Sequence, residues 1–260
     1  MPKDLGDVLH FFLPESGGGS NGEGTPGPHR PAALPILALP IGDRDVVRAA
    51  FAWNLNVEIA RLGASSTLVA PRGEDIEALW PEAGPGPLGS EVLLADANDL
   101  AGLGRAALDV AVARAADTEE GGVVLVGVPP PWLGAGAEGP QLLRWLLLLS
   151  TTDPRDLAET YALTKRLFAM RPRMYVGLTI HGVRRVREAR NAFERVARVA
   201  NRHLGRCPRS YGLLVDDLHV YRAIVSRRPI GIEHPQSPAA RALRDVARLV
   251  LSDARNSAVA

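Results

Sequence analysis

From Pro35 onward, short runs of Val, Leu and Ile alternate with long stretches of helical period, and few folds tolerate that order. The predicted strands are Ile36–Leu39, Ser66–Ala70, Glu91–Ala95, Val123–Val128, Trp145–Ser150, Met174–Ile180 and Tyr211–Leu214. Helices are predicted over Asp45–Leu62, Ala97–Ala116, Pro154–Met170, Val186–Leu204, Leu218–Val225 and Pro238–Ser252. The strands do not alternate apolar with polar residues, so both of their faces must be covered. Strands of that kind joined through helices predict an α/β domain, doubly wound, with a mostly parallel sheet and helices on both faces. With 46% apolar residues in 260, the chain can fill one large core of this sort.

The stretch before that domain is of another character. Leu5, Val8, Leu9, Phe12 and Leu13 fall at i, i+3, i+4, i+7 and i+8, one apolar stripe on a short helix within residues 1–15. Residues 16–34 are rich in Gly, Pro and Ser and read as a flexible linker. A short amphipathic helix on a tether fits a segment that docks into a protein partner; folding back onto its own domain is the alternative. The domain itself spans residues 35–252. Residues 253–260 read as a tail too short and too polar to anchor the chain in a membrane.

The single cysteine, Cys207, rules out an internal disulfide and suits a reducing, cytoplasmic setting. No secretory signal is visible, and the apolar run Trp145–Leu149 is far shorter than a membrane span. The net charge of +1 hides an asymmetry: residues 151–260 hold 21 Arg and Lys against 10 Asp and Glu, residues 1–150 only 9 against 19. On the helix Val186–Leu204, Arg187, Arg195, Arg198 and Arg202 lie near one face, because spacings of 8, 11 and 15 residues approach whole turns.

A strand, a tight turn and a helix at Ile36–Gly63 form the frame in which a phosphate-binding loop sits. Such a loop needs G-x-x-x-x-G-K-[ST]: glycines for close approach, a lysine for charge and a hydroxyl for Mg²⁺. Counting from Gly42, those last positions hold Val47, Arg48 and Ala49. Other candidate constellations are equally bare. The histidines at 181, 203, 219 and 234 lie too far apart to read as a metal set, so no metal and no cofactor is expected. Asp216-Asp217 and Ser150-Thr151-Thr152 read as helix-entry residues, and Pro129–Trp132 as a rigid turn with an aromatic tip.

Four segments carry a resemblance: Val123-VLVGVPPPW, Leu149-STTDPRDLAETYALTKRL, Val176-GLTIHGVRRVREARNAFERVARVANRHLG and Leu213-LVDDLHVYRAIVSRRPIGIEHPQSPAARALRDVA. Together they resemble the MinD/ParA class of P-loop ATPases, and within it the FlhG (FleN or YlxH) flagellar-number regulators. Thr151, Thr152, Pro154, Leu157, Tyr161, Ala162 and Lys165 match the FlhG pattern TT-x-P-x-x-L-x-x-x-YA-x-x-K. The resemblance covers about Ile36 to Leu251 and implies a nucleotide site whose functional positions are lost here. The family's signature lysine falls on Asp43, and its P-loop Lys and Thr on Arg48 and Ala49. The acid ending the second strand falls on Ala70, the Walker B acid on Gly127, and the adenine-reading Asn on His181. The expectation is therefore a non-catalytic relative, a pseudo-ATPase acting as a regulator or scaffold. It would bind a partner protein through the N-terminal helix, or pair as a homodimer or as a heterodimer with an active relative. Two alternatives stay open: a positioning protein whose basic half binds nucleoid DNA or anionic lipid, and an ATPase with an atypical site. Even in the non-catalytic reading, Arg48, near a helix start, could hold a phosphate or other anion without metal.

Overall fold

The computed structural model describes residues 32–42, 44–73, 83–134, 144–171 and 173–257. Asp43 and the stripe Leu5, Val8, Leu9, Phe12 and Leu13 lie outside them. The strands are β1 (Ile36–Pro40), β2 (Ser65–Pro71), β3 (Gly84–Pro85), β4 (Glu91–Ala95), β5 (Gly122–Val128), β6 (Trp145–Ser150), β7 (Tyr175–Val183) and β8 (Arg209–Val215). The helices are α1 (Val46–Arg61), α2 (Leu100–Asp117), α3 (Pro154–Met170), α4 (Val186–Leu204), α5 (Leu218–Ser226), α6 (Ile230–Glu233) and α7 (Pro238–Ser257). All eight strands form one sheet in the order β3-β4-β2-β5-β1-β6-β7-β8, parallel except for the β3–β4 pair. This is the doubly wound, mostly parallel sheet expected from the sequence.

Alternate residues of each strand feed two cores. Leu37, Leu39, Leu68, Leu125 and Leu147 pack under α1, α5, α6 and α7, while Ala38, Val69, Val124, Val126 and Leu146 face α2, α3 and α4. Helix α1 is buried nearly all round, and the polar side chains this draws inside meet polar or charged neighbours, although Glu58 Oε2 makes no hydrogen bond. Asn56 donates to the Glu91 carbonyl at 2.9 Å and accepts from Ser66 at 2.6 Å. Asn54 donates to Ala50 and accepts from the Ile230 amide at 2.8 Å. The fully buried Glu58 faces Arg61 at 3.1 Å and Arg244 at 3.5 Å, a pairing that a buried carboxylate requires.

Three differences from the sequence reading have local causes. The stretch Pro81–Gly89, expected as a plain surface connection, contributes β3, which pairs antiparallel to β4 through Gly84↔Val92 and Pro85↔Glu91. Trp132, expected at an exposed tip, is half-buried against the second core, because a single 3₁₀ turn (Pro130–Gly134) folds it back. Helix α7, expected to stop at Ser252 before a tail, runs to Ser257, with Asp253 and Ala254 buried. Asp253 turns inward because it has a partner there. The Tyr211 hydroxyl donates to its Oδ2, Trp145 Nε1 donates to the same hydroxyl at 3.0 Å, and Arg209 reaches Oδ1 at 3.0 Å. Burial, first, and the Asp253 carboxylate, second, push the Tyr211 phenol far above its ordinary range, so it stays a donor.

Candidate functional site

In the sheet order, the chain leaves β1 toward β2 on one side and leaves β6 toward β7 on the other. The crevice outside the carboxyl ends of β1 and β6 is thus the switch point where open α/β sheets place ligands. The connection from β1 into α1 lies at this point. Asp45 is the N-cap: its Oδ1 accepts from the Arg48 amide at 2.9 Å. The same carboxylate takes the Arg48 guanidinium at 2.5 Å, and Arg48 Nη2 donates onward to the Leu149 carbonyl at the end of β6, at 3.3 Å. One side chain thus neutralises the positive end of α1 and fixes an arginine across the crevice.

The remaining sequence-derived positions take up ordinary packing roles. Gly42 has no positive φ, and a Cβ there would meet only the Asp45 Cβ, at 3.9 Å, so the backbone does not need glycine. Ala49 and Ala70 are fully buried. Gly127 is buried at the end of β5, opposite Leu39 of β1. The alternation of β5 puts position 127 on the face of Val123 and Leu125, toward α1, and no carboxylate stands there. Asp45 takes one side of the Arg48 guanidinium, so an anion there would share the arginine with a carboxylate.

His181 lies half-buried beyond Ile180. Burial, followed by the nearby Arg48 charge, holds its imidazole below the ordinary value, partly offset by Asp156 and Asp45. Its folded pKa is depressed, so the neutral ring stabilises the fold at neutral pH, and that contribution is lost as pH falls below about 6.5. Urea unfolding of His181→Gln should therefore show a shallower loss of stability between about pH 6.5 and pH 5 than the unaltered chain.

His181 borders a cavity of about 250 Å³, also lined by Val47, Phe51, Leu149, Tyr221 and Leu243. A second cavity, about 350 Å³, is bounded by Arg48, Leu149, Asp156, Glu159 and Arg166. Leu149 lines both. Several of the polar groups around them are already engaged. Thr151 Oγ1 donates to Asp156 at 2.5 Å, and Asp153 caps α3 through the Arg155 amide at 2.8 Å. Asp217 accepts from the His219 amide at 3.0 Å and from the Ala239 amide at 3.3 Å, so one carboxylate serves the starts of both α5 and α7. The helix-entry roles expected of Thr151 and Asp217 are what the geometry shows. Among the described residues, no group of three or more His, Cys, Asp or Glu is arranged to hold a metal ion. On α4, Arg187, Arg195, Arg198 and Arg202 are all exposed, while Ala189, Ala192, Val196 and Ala200 face inward.

Comparison with solved structures settles the fold. MinD in the MinC:MinD cell division complex of Aquifex aeolicus superposes with a TM-score of 0.62 at 13% identity, over 84% of this chain and 96% of that one. The MinD cell division ATPase of Pyrococcus furiosus gives 0.59 at 14% identity, over 83% and 98%. A ParA family ATPase from Chlorobium tepidum gives 0.57 at 13% identity, over 84% and 98%. The chain has the MinD/ParA-type fold. No family model and no curated protein sequence matches it. Among its described residues, no helix is long and apolar enough to cross a membrane.

Proposed function

We propose that this chain is a regulatory or scaffold protein that uses a MinD/ParA-type fold for protein–protein contact and does not hydrolyse ATP. The observation that carries the reading is Asp45. A phosphate docked at the start of α1 would meet a carboxylate already holding an amide and a guanidinium. Asp45 and Arg48 cancel as charges, so the phosphate would meet a closed, neutral pair where such a site needs free donors and a positive charge. The described residues also do not fit a magnesium–nucleotide. Positions 70 and 127 carry no carboxylate, and 48 and 49 carry neither lysine nor hydroxyl. Phosphoryl transfer would lack both its positioning and its charge stabilisation.

Calorimetry with ATP and Mg²⁺ should show no saturable heat, and phosphate release should not exceed that of a matched preparation lacking the protein. Arg48→Lys with Ala49→Thr should not restore turnover, because Asp45, Ala70 and Gly127 remain. A magnesium-dependent isotherm or clear turnover would overturn the reading. The FlhG-like assignment belongs to the same proposal and rests on the Thr151–Lys165 and Asp216–Asp217 segments. The partner is a protein held by the stripe Leu5, Val8, Leu9, Phe12 and Leu13. A pull-down that loses its partner when residues 1–20 are removed tests this, and Leu9→Ala with Phe12→Ala should have the same effect. Pairing of the domain, with itself or with an active relative, is part of the same proposal.

A second reading is favoured by the exposed arginine face of α4. It would bind a polyanion such as duplex DNA without sequence preference, and binding would fall steeply with salt. Arg195→Ala with Arg198→Ala should then lower the slope of log affinity against log salt by about 2 in a gel-shift series. No retention of duplex DNA at low salt removes this reading.

A further inference from the structure

Helix α5 carries apolar residues on its outer face. Leu218 is 60% exposed, Tyr221 55% and Val225 86%. Positions three and seven apart form one stripe on a helix. Tyr221 also lines the 250 Å³ cavity, and the half-exposed Val47 of α1 lines it too. The convex stripe therefore leads directly into an apolar recess. An apolar cavity of about 150 Å³ takes up benzene, so this recess has room for a phenyl ring. Asp216 and Asp217 line its polar edge, where exposed Arg184 lies 3.7 Å from Asp216; exposed Arg222 lies on α5 itself and exposed Arg228 just beyond it, the latter 3.2 Å from Glu233.

The chain contains a segment with a matching apolar stripe and acids that could face the α5 arginines. Residues 3–15 set one lysine, Lys3, against Asp4, Asp7 and Glu15, alongside the apolar stripe that ends in Phe12 and Leu13. The domain begins close to Leu34, whose amide donates to the Ala111 carbonyl at 3.0 Å. Sixteen residues, 16–31, separate the segment from the described chain. Fully extended they span roughly 55 Å, more than the roughly 45 Å across a domain of this size. We propose that residues 3–15 dock on the α5 stripe of their own chain with Phe12 in the cavity. This rests on reading those residues as an apolar docking helix. It adds regulation: the docked segment is withheld from a partner, and partner and cavity compete for the same side chains.

Hydrogen exchange on the full chain tests the contact without any partner present. The amides of residues 5–13 should exchange at least tenfold more slowly than in a free peptide of the same sequence. Leu218→Asp with Val225→Asp, both at exposed positions, should return them to the free rate while β-strand protection is unchanged. Protection should be the same across a hundredfold range of protein concentration. Absence of protection in the unaltered chain overturns the proposal, as does protection that survives the α5 substitutions. Protection lost on dilution assigns the contact to a second copy and overturns docking within one chain. Loss of partner capture with exchange protection intact would count against the scaffold reading alone.

Discussion

Replacing Gly177 with alanine should lower the melting temperature by roughly 10 °C. Gly177 lies in β7 beneath the ring of Tyr211, and a Cβ there would sit 2.3 Å from Cε2, 2.4 Å from Cδ2 and 3.2 Å from Leu147 Cδ1. Overpacked cores usually relax by swinging a side chain aside, at a cost of about 1–3 kcal/mol. This ring has nowhere to go. It is fully buried and tied at its hydroxyl to both Trp145 and Asp253. The penalty should therefore reach about 3 kcal/mol or more, and each kcal/mol moves the melting point of a domain this size by about 2–4 °C. Circular dichroism melts check the shift. In a Tyr211→Leu background the same substitution should cost much less, and equal costs in the two backgrounds would rule out the ring as the cause.

Asp253→Ala should cost about 3 kcal/mol by a different route. The substitution leaves the buried Tyr211 hydroxyl without an acceptor, and an unsatisfied buried donor costs about 1–3 kcal/mol. Arg209 loses its partner as well, but its side chain is 47% exposed, so that pair adds little. The last turns of α7, which pack Val250, Leu251 and Ala254 against the sheet, lose the contact that holds them down. Asp253→Asn keeps an oxygen acceptor and should lose less than half as much in urea unfolding. If alanine and asparagine destabilise equally, the hydroxyl is satisfied in some other way.

The sheet could be read from the sequence because its strands are continuous apolar runs buried on both faces, and six of the helices announce themselves by period and cap. What could not be read depends on partners far along the chain. Two-residue β3 and four-residue α6 are too short for any periodicity to mark. The polar sequence Ser252-Asp253-Ala254-Arg255 looks like a tail until Tyr211, 42 residues away, is placed beside Asp253. At the site, the absence of a lysine at 48 and of acids at 70 and 127 was plain in the sequence. Asp45 reads from the sequence as the first residue of the helix, one position inside the boundary at which it caps. Its second role, holding Arg48 against a carbonyl 101 residues distant, follows only from the neighbouring ends of β1 and β6.

The cap at Asp45 bears on how the molecule would sense its surroundings. A helix start completed by a ligand gains stability with ligand concentration, and so reports that concentration to whatever reads the fold. Here the counter-charge is part of the chain. On the proposed reading, neither the melting temperature nor the shape offered to a partner should shift when ATP is exchanged for ADP. A cell could then alter the output of this protein by making or destroying copies of it, or by freeing its docked segment, but not through its adenylate ratio.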